Sequence, residues 1–306
     1  MAILRKNHPV WRYVSLILKI LISMSLIYWI TRHVRFESLF LFIQDHLIAV
    51  LGIFLLSLIH LANEFLRFYL VIRRGHFDHT VQKLVKIFFI GYAFRFLLPG
   101  GQGEVGKMLY INGRRSHRLA AYLIEKGSQV YILLIAFGLA INWLFPHYRL
   151  LGWGITGLLI IGTLVWKWLM RNRYLNRLIP DLLASRTFFL IEAALGALNI
   201  VIISMEYFLL LSRFEMGFID VSAVVTVVLT VIMIPVSFAG LGLRETAASQ
   251  LFSDFGVPKD IGIGIPFLIF TLNVALPAFI GVFVFLTNRI ELHGVSLETF
   301  LRKRDT

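Results

Sequence analysis

The chain has no cysteine, so disulfides, thiolate nucleophiles and cysteine-ligated metals are excluded. Charge is scarce. Only 15% of the 306 residues are Asp, Glu, Lys or Arg, where soluble domains carry roughly a quarter. Acids are scarcer than bases, 17 against 30. The nine histidines show no metal-ligand spacing, and His76 and His79 flank Asp78 in what reads as a solvated basic loop. No metal site and no cofactor is expected. There is no acidic metal-binding pair on an extended loop, no nucleophile–histidine arrangement and no polar stretch long enough for a soluble catalytic domain. Enzymatic activity is therefore not expected.

What is abundant is apolar side chain, 58% of residues, with mean hydropathy +0.80. A globule of this size exposes much of its surface and cannot hide that much apolar area from water. Lipid must be the solvent for much of it. The expected fold class is all-α, a polytopic membrane helix bundle forming a single integral membrane domain over 1–306. Spans are expected at about 10–31, 46–67, 119–144, 150–170, 187–211 and 261–288, each near the about 20 apolar residues a crossing needs. Arg5, Lys6 and Arg12 precede the first run without a small-residue cleavage site, so it reads as a retained span rather than a signal peptide.

Two apolar segments, about 83–111 and 221–255, are broken by proline and glycine. They read as re-entrant or broken-helix hairpins, one in each half, the sequence pointer to an inverted repeat with a site near the midplane. With each hairpin returning to the side it left and both termini cytoplasmic, 19 of the 30 bases fall in cytoplasmic pieces, 5 outside and 6 within apolar segments. That bias favours this orientation in the cytoplasmic (inner) membrane. It also explains the net charge of +13 without invoking nucleic acid.

The first break runs from Arg95 to Met108, RFLLPGGQGEVGKM. Its Gly101, Gly103, Gly106 and Lys107 mimic two nucleotide-binding loops. A P-loop needs a hydroxyl where Met108 stands, and a dinucleotide loop needs a βαβ unit; Glu125 has the right spacing for its acid but sits on an apolar helix. Membrane chemistry explains more residues. Pro99 stops a helix, while Gly100 and Gly103 let the chain turn and other groups approach. A half-helix then starts near Gln102 or Gly103, its free N–H groups suited to an anion. Glu104 and Lys107 share a face at i, i+3 and either bind a headgroup or tie down the turn. The second break repeats the pattern with Pro235, Gly240, Gly242, Arg244 and Glu245.

Ionisable residues at membrane depth are functional candidates by default. Arg95, Glu104, Lys107, Glu125, Arg244 and Glu245 are expected to line a polar cavity. Their charges sum to zero, which suits an anionic or zwitterionic membrane lipid whose own charges are paired. Glu125 is expected to face inward and its neighbour Lys126 the headgroups. Glu64 and Arg67 read as a pair snorkelling at the interface. Glu192 and Glu206 are weaker cavity candidates, and Asn273 with Pro277 marks a kink and its polar relief.

These residues resemble the flippase-like integral membrane family, that is, the transmembrane region of lysylphosphatidylglycerol synthases and its stand-alone relatives. The resemblance rests on Arg67; on Leu98, Pro99 and Gly100 with Gly103, Glu104 and Lys107; on Glu125 and Lys126; and on Ile234–Pro235 through Gly240 to Glu245. It runs over roughly 10–290. The family usually has aspartate and arginine where Glu104 and Lys107 stand, arginine where Lys126 stands, and a following acid that Ser128 and Gln129 do not supply. The resemblance implies a lipid flippase or transporter moving a phospholipid or polyprenyl-linked lipid between leaflets. It does not imply lysyl transfer, which belongs to a separate soluble domain. The alternatives are a membrane enzyme, or an accessory partner of a separately encoded lipid-modifying enzyme.

Overall fold

A computed structural model describes residues 44–97, 102–169, 185–234 and 240–287. The expected first span, the C-terminal tail, Pro99, Gly100 and Pro235 lie outside the described residues. Nine α-helices occur among those described, and no strand. They are α1 (Leu47–Arg74), α2 (Val81–Leu97), α3 (Arg115–Leu144), α4 (Arg149–Leu169), α5 (Arg186–Leu211), α6 (Phe218–Val231), α7 (Leu243–Ser253), α8 (Lys259–Phe270) and α9 (Leu276–Thr287). A 3₁₀ segment, Gln102–Tyr110, follows α2, and a π turn, Thr271–Ala275, joins α8 to α9.

Four stretches are long and apolar enough to cross a bilayer: Leu47–Arg74, Arg115–Leu144, Thr187–Phe214 and Lys259–Thr287. The chain is an all-α polytopic membrane protein. At 1.5 Å per residue the 28 residues of α1 reach about 42 Å, beyond the about 30 Å hydrocarbon core. The surplus carries Arg73 and Arg74 in the last turn, where they also complement the helix dipole. Polarity is arranged for lipid. Leu150, Ile48 and Leu286 are largely exposed, while Arg67, Lys107 and Glu192 are buried.

Both interrupted segments are present. α2 packs on its own 3₁₀ segment and α6 on α7, as the arms of a hairpin do. The first break leads into the 3₁₀ helix at Gln102, where a half-helix is expected. At the second, Gly240 and Gly242 take φ values of 77° and 83°, a conformation other residues resist. Glu245 then accepts the Gly242 N–H at 2.6 Å and caps α7.

The long helices pack as α1 on α5 and α3 on α4, α5 and α6. α9 lies along α2, close enough that a Cβ at Gly281 would strike the Phe89 carbonyl. The kink expected at Asn273 and Pro277 is the π turn. Pro277 has no N–H for the Asn273 carbonyl, and Leu276 N–H reaches back five residues to Thr271 O.

Candidate functional site

The most heavily charged interior region lies where α1, the 3₁₀ segment, α3 and α5 meet. The 3₁₀ segment carries Glu104 and Lys107, one turn apart. Lys107 has no solvent exposure, and its Nζ sits 2.7 Å from Glu104 Oε1 and 2.7 Å from Glu125 Oε1 of α3. The same ammonium lies 4.6 Å from the centre of the Phe68 ring, a cation–π contact. Gly91 of α2 makes room for it, because a Cβ there would come within 2.9 Å of Lys107 Cδ.

Lys126 does not face the headgroups as expected. Its Nζ reaches 2.9 Å from Glu104 Oε2, with Glu125 Oε1 at 3.7 Å and Glu64 Oε2 at 3.9 Å. Neighbours on a helix point about 100° apart, but the four-carbon stem of lysine spans that angle. Nor is Arg67 an interfacial residue. It is 1% exposed, within the bundle. It meets Glu64 and Glu192 at 3.4 Å each and donates to the Glu125 carbonyl at 2.7 Å and Ser128 Oγ at 3.2 Å. A planar fork with several donors suits this junction of three helices.

Polar residues complete the cluster. Glu64 Oε1 accepts from Asn199 Nδ2 at 2.6 Å and Gln129 Nε2 at 3.3 Å. Asn63 Nδ2 donates to the Leu195 carbonyl at 2.9 Å and to Asn199 Oδ1. Four acids (Glu64, Glu104, Glu125, Glu192) thus share three bases (Arg67, Lys107, Lys126). Glu125 Oε2, Glu192 Oε1, His60 Nδ1 and Tyr92 OH are buried with no hydrogen-bond partner among the described residues. The arrangement is an interior of paired charge with acceptors to spare, able to hold a polar group that carries its own positive charge.

Of the expected site residues, Glu104, Lys107 and Glu125 come together. Arg95 is half-buried at the end of α2, its guanidinium 5.9 Å from the Tyr92 ring centre. Arg244 and Glu245 make their contacts elsewhere. Arg244 lies 4.7 Å from the Phe270 ring centre, and Glu245 caps its own helix. Ser128, Gln129 and Asn199 escaped sequence reasoning as members of the cluster. Their signal was a polar residue in an apolar helix, which says nothing about the neighbour it meets. His79 corrects another expectation. It is buried and accepts the Asn112 N–H at 3.0 Å, tying the α1–α2 loop to the segment before α3.

No curated protein and no solved structure matched the chain. The family model described as the lysylphosphatidylglycerol synthase transmembrane region matches residues 16–281. The chain belongs to that family.

Proposed function

We propose that this member of the lysylphosphatidylglycerol synthase transmembrane family is a lipid transporter that moves a phospholipid or polyprenyl-linked lipid across the membrane. The observation that carries the reading is the fully buried Lys107 between Glu104 and Glu125. A buried ion pair is weak evidence for stability, since apolar packing of the same volume serves as well or better. Seven ionisable residues gathered on four elements at membrane depth are better explained by use. A headgroup entering the cluster exchanges one set of partners for another. Its phosphate takes Lys107 or Lys126, and an amine or hydroxyl takes the spare oxygens of Glu125 and Glu192. The substrate class that fits is a zwitterionic or anionic membrane lipid.

The interrupted segments supply the moving parts. Entering from opposite faces as an inverted repeat, they would open the cluster to each leaflet in turn. The proposed place is the cytoplasmic membrane with both termini inside. Arg73, Arg74, Arg114 and Arg115 then meet anionic lipid of the inner leaflet, each worth about 1 kcal/mol. The chain itself carries out no covalent chemistry in this reading. A second reading, an accessory partner of a lipid-modifying enzyme, is favoured by the family's description, which names a synthase.

The test is transbilayer exchange of labelled lipid in vesicles containing wild-type, Glu104→Gln or Glu125→Gln protein, with folding checked by thermal unfolding. At least tenfold slower exchange in both folded variants is expected. Wild-type rates in both would sink the headgroup site and move the partner reading ahead.

A further inference from the structure

Glu206 of α5 is as deeply buried as the cluster acids but is handled differently. Each of the four cluster acids has a cation within 4 Å. Among the described residues Glu206 has no ion pair at all. Its Oε1 accepts from Ser57 Oγ of α1 at 3.2 Å, and its Oε2 is joined to Asn273 Nδ2 of the π turn at 2.6 Å. A carboxylate with only neutral partners is costly at this depth.

Both partners can reverse. A hydroxyl and a carboxamide each donate or accept. Facing a carboxylate, Asn273 donates through Nδ2. Facing a carboxylic acid, the same amide turned over accepts through Oδ1. That oxygen is buried and has no hydrogen-bond partner among the described residues. The site is therefore built to hold the acid in either charge state.

We infer that Glu206, Ser57 and Asn273 form a binding site for a single proton, separate from the charged cluster and seated at the π turn. Asn273 lies at the centre of that turn, and π turns concentrate at functional positions. Phe270, the residue before the turn, packs against both interrupted segments. It stacks on Phe96 of α2 at 6.4 Å and carries the Arg244 guanidinium of α7 over its face. The titratable surroundings of Glu206 are few. Tyr207 on the same helix interacts with Glu206 and with Arg244 and Glu245 of α7. On α1, His60 lies one turn beyond Ser57, toward Glu64. Of the ionisable residues of α3, Glu125 and Lys126 stand in the cluster, Arg115, His117 and Arg118 lie in the helix's first turn and Tyr131 donates to the Leu159 carbonyl, while Asp220 of α6 and Lys259 and Asp260 of α8 stand at helix starts.

The test is infrared difference spectroscopy of the purified protein titrated from alkaline to acid buffer, which needs no lipid substrate. Wild type is expected to gain a protonated-carboxyl band on acidification. Glu206→Gln should lose that band while Glu192→Gln keeps it, and Asn273→Ala should shift it. The inference is overturned if folded Glu206→Gln keeps the whole wild-type titration, or if the Glu206 band is present at every pH. Should Glu206→Gln not fold, Glu206→Asp keeps the acid and must move the band. An unmoved band would again overturn the inference.

Discussion

The pair α1 and α5 buries carboxylates in two places and treats them in two ways. At one level Glu64 and Glu192 share Arg67. Fourteen residues further along α5, about 21 Å at the helical rise, Glu206 has only Ser57 and Asn273 among the described residues. The first solution pairs charge. Every ammonium or guanidinium there answers to more than one acid. The second solution leaves the charge free to change, because its neutral partners accommodate either form. One region is suited to receive a charged guest and the other to register a proton.

Substitutions can break that contrast. The largest effect is expected for Lys107→Met, which leaves Glu125 only the 3.7 Å contact with Lys126 and takes from Glu104 one of its two lysines. Removing one partner of a buried pair costs about 3–5 kcal/mol. Thermal unfolding in detergent should fall steeply, and adding Glu104→Gln should restore part of the loss. A smaller effect, about 1–3 kcal/mol, is expected for Asn273→Leu, which removes one of two described partners from Glu206. Unlike the first, its cost should shrink in acid, where the carboxyl is neutral; equal cost at every pH would erase the distinction between the regions. The smallest, within about 0.5 kcal/mol, is expected for Glu206→Gln, since a glutamine amide can donate to Asn273 Oδ1 and accept from Ser57. A loss comparable to that of Lys107→Met would mean that Glu206 is charged and paired after all.

The class of fold was legible because it rests on composition and on runs of about 20 apolar residues. The two breaks were legible because proline and glycine announce themselves locally. The Glu104–Lys107 contact followed from spacing along one helix. What connects different helices was not legible. Nothing in the chain order says that Arg67 of α1 meets Glu192 of α5, 125 positions away, or that Asn199 closes on Glu64. Lys126 failed for another reason. Its backbone direction was read correctly as different from that of Glu125, but the length and flexibility of the stem decided where the charge ended. Glu206 looked like one more acid in an apolar helix until the π turn brought Asn273 beside it.

The complete burial of Lys107 bears on ionic strength. Mobile ions screen surface charges over about 8 Å at physiological salt but enter a closed interior poorly. In the proposed reading the arginines Arg73, Arg74, Arg114 and Arg115 would hold anionic lipid through forces that dissolved salt weakens, whereas the buried cluster around Lys107 is shielded from the buffer. Molar salt should therefore strip the annulus of bound anionic lipid and leave an interior guest in place. Rim-bound and interior lipid, as proposed, would in that sense be separable by washing.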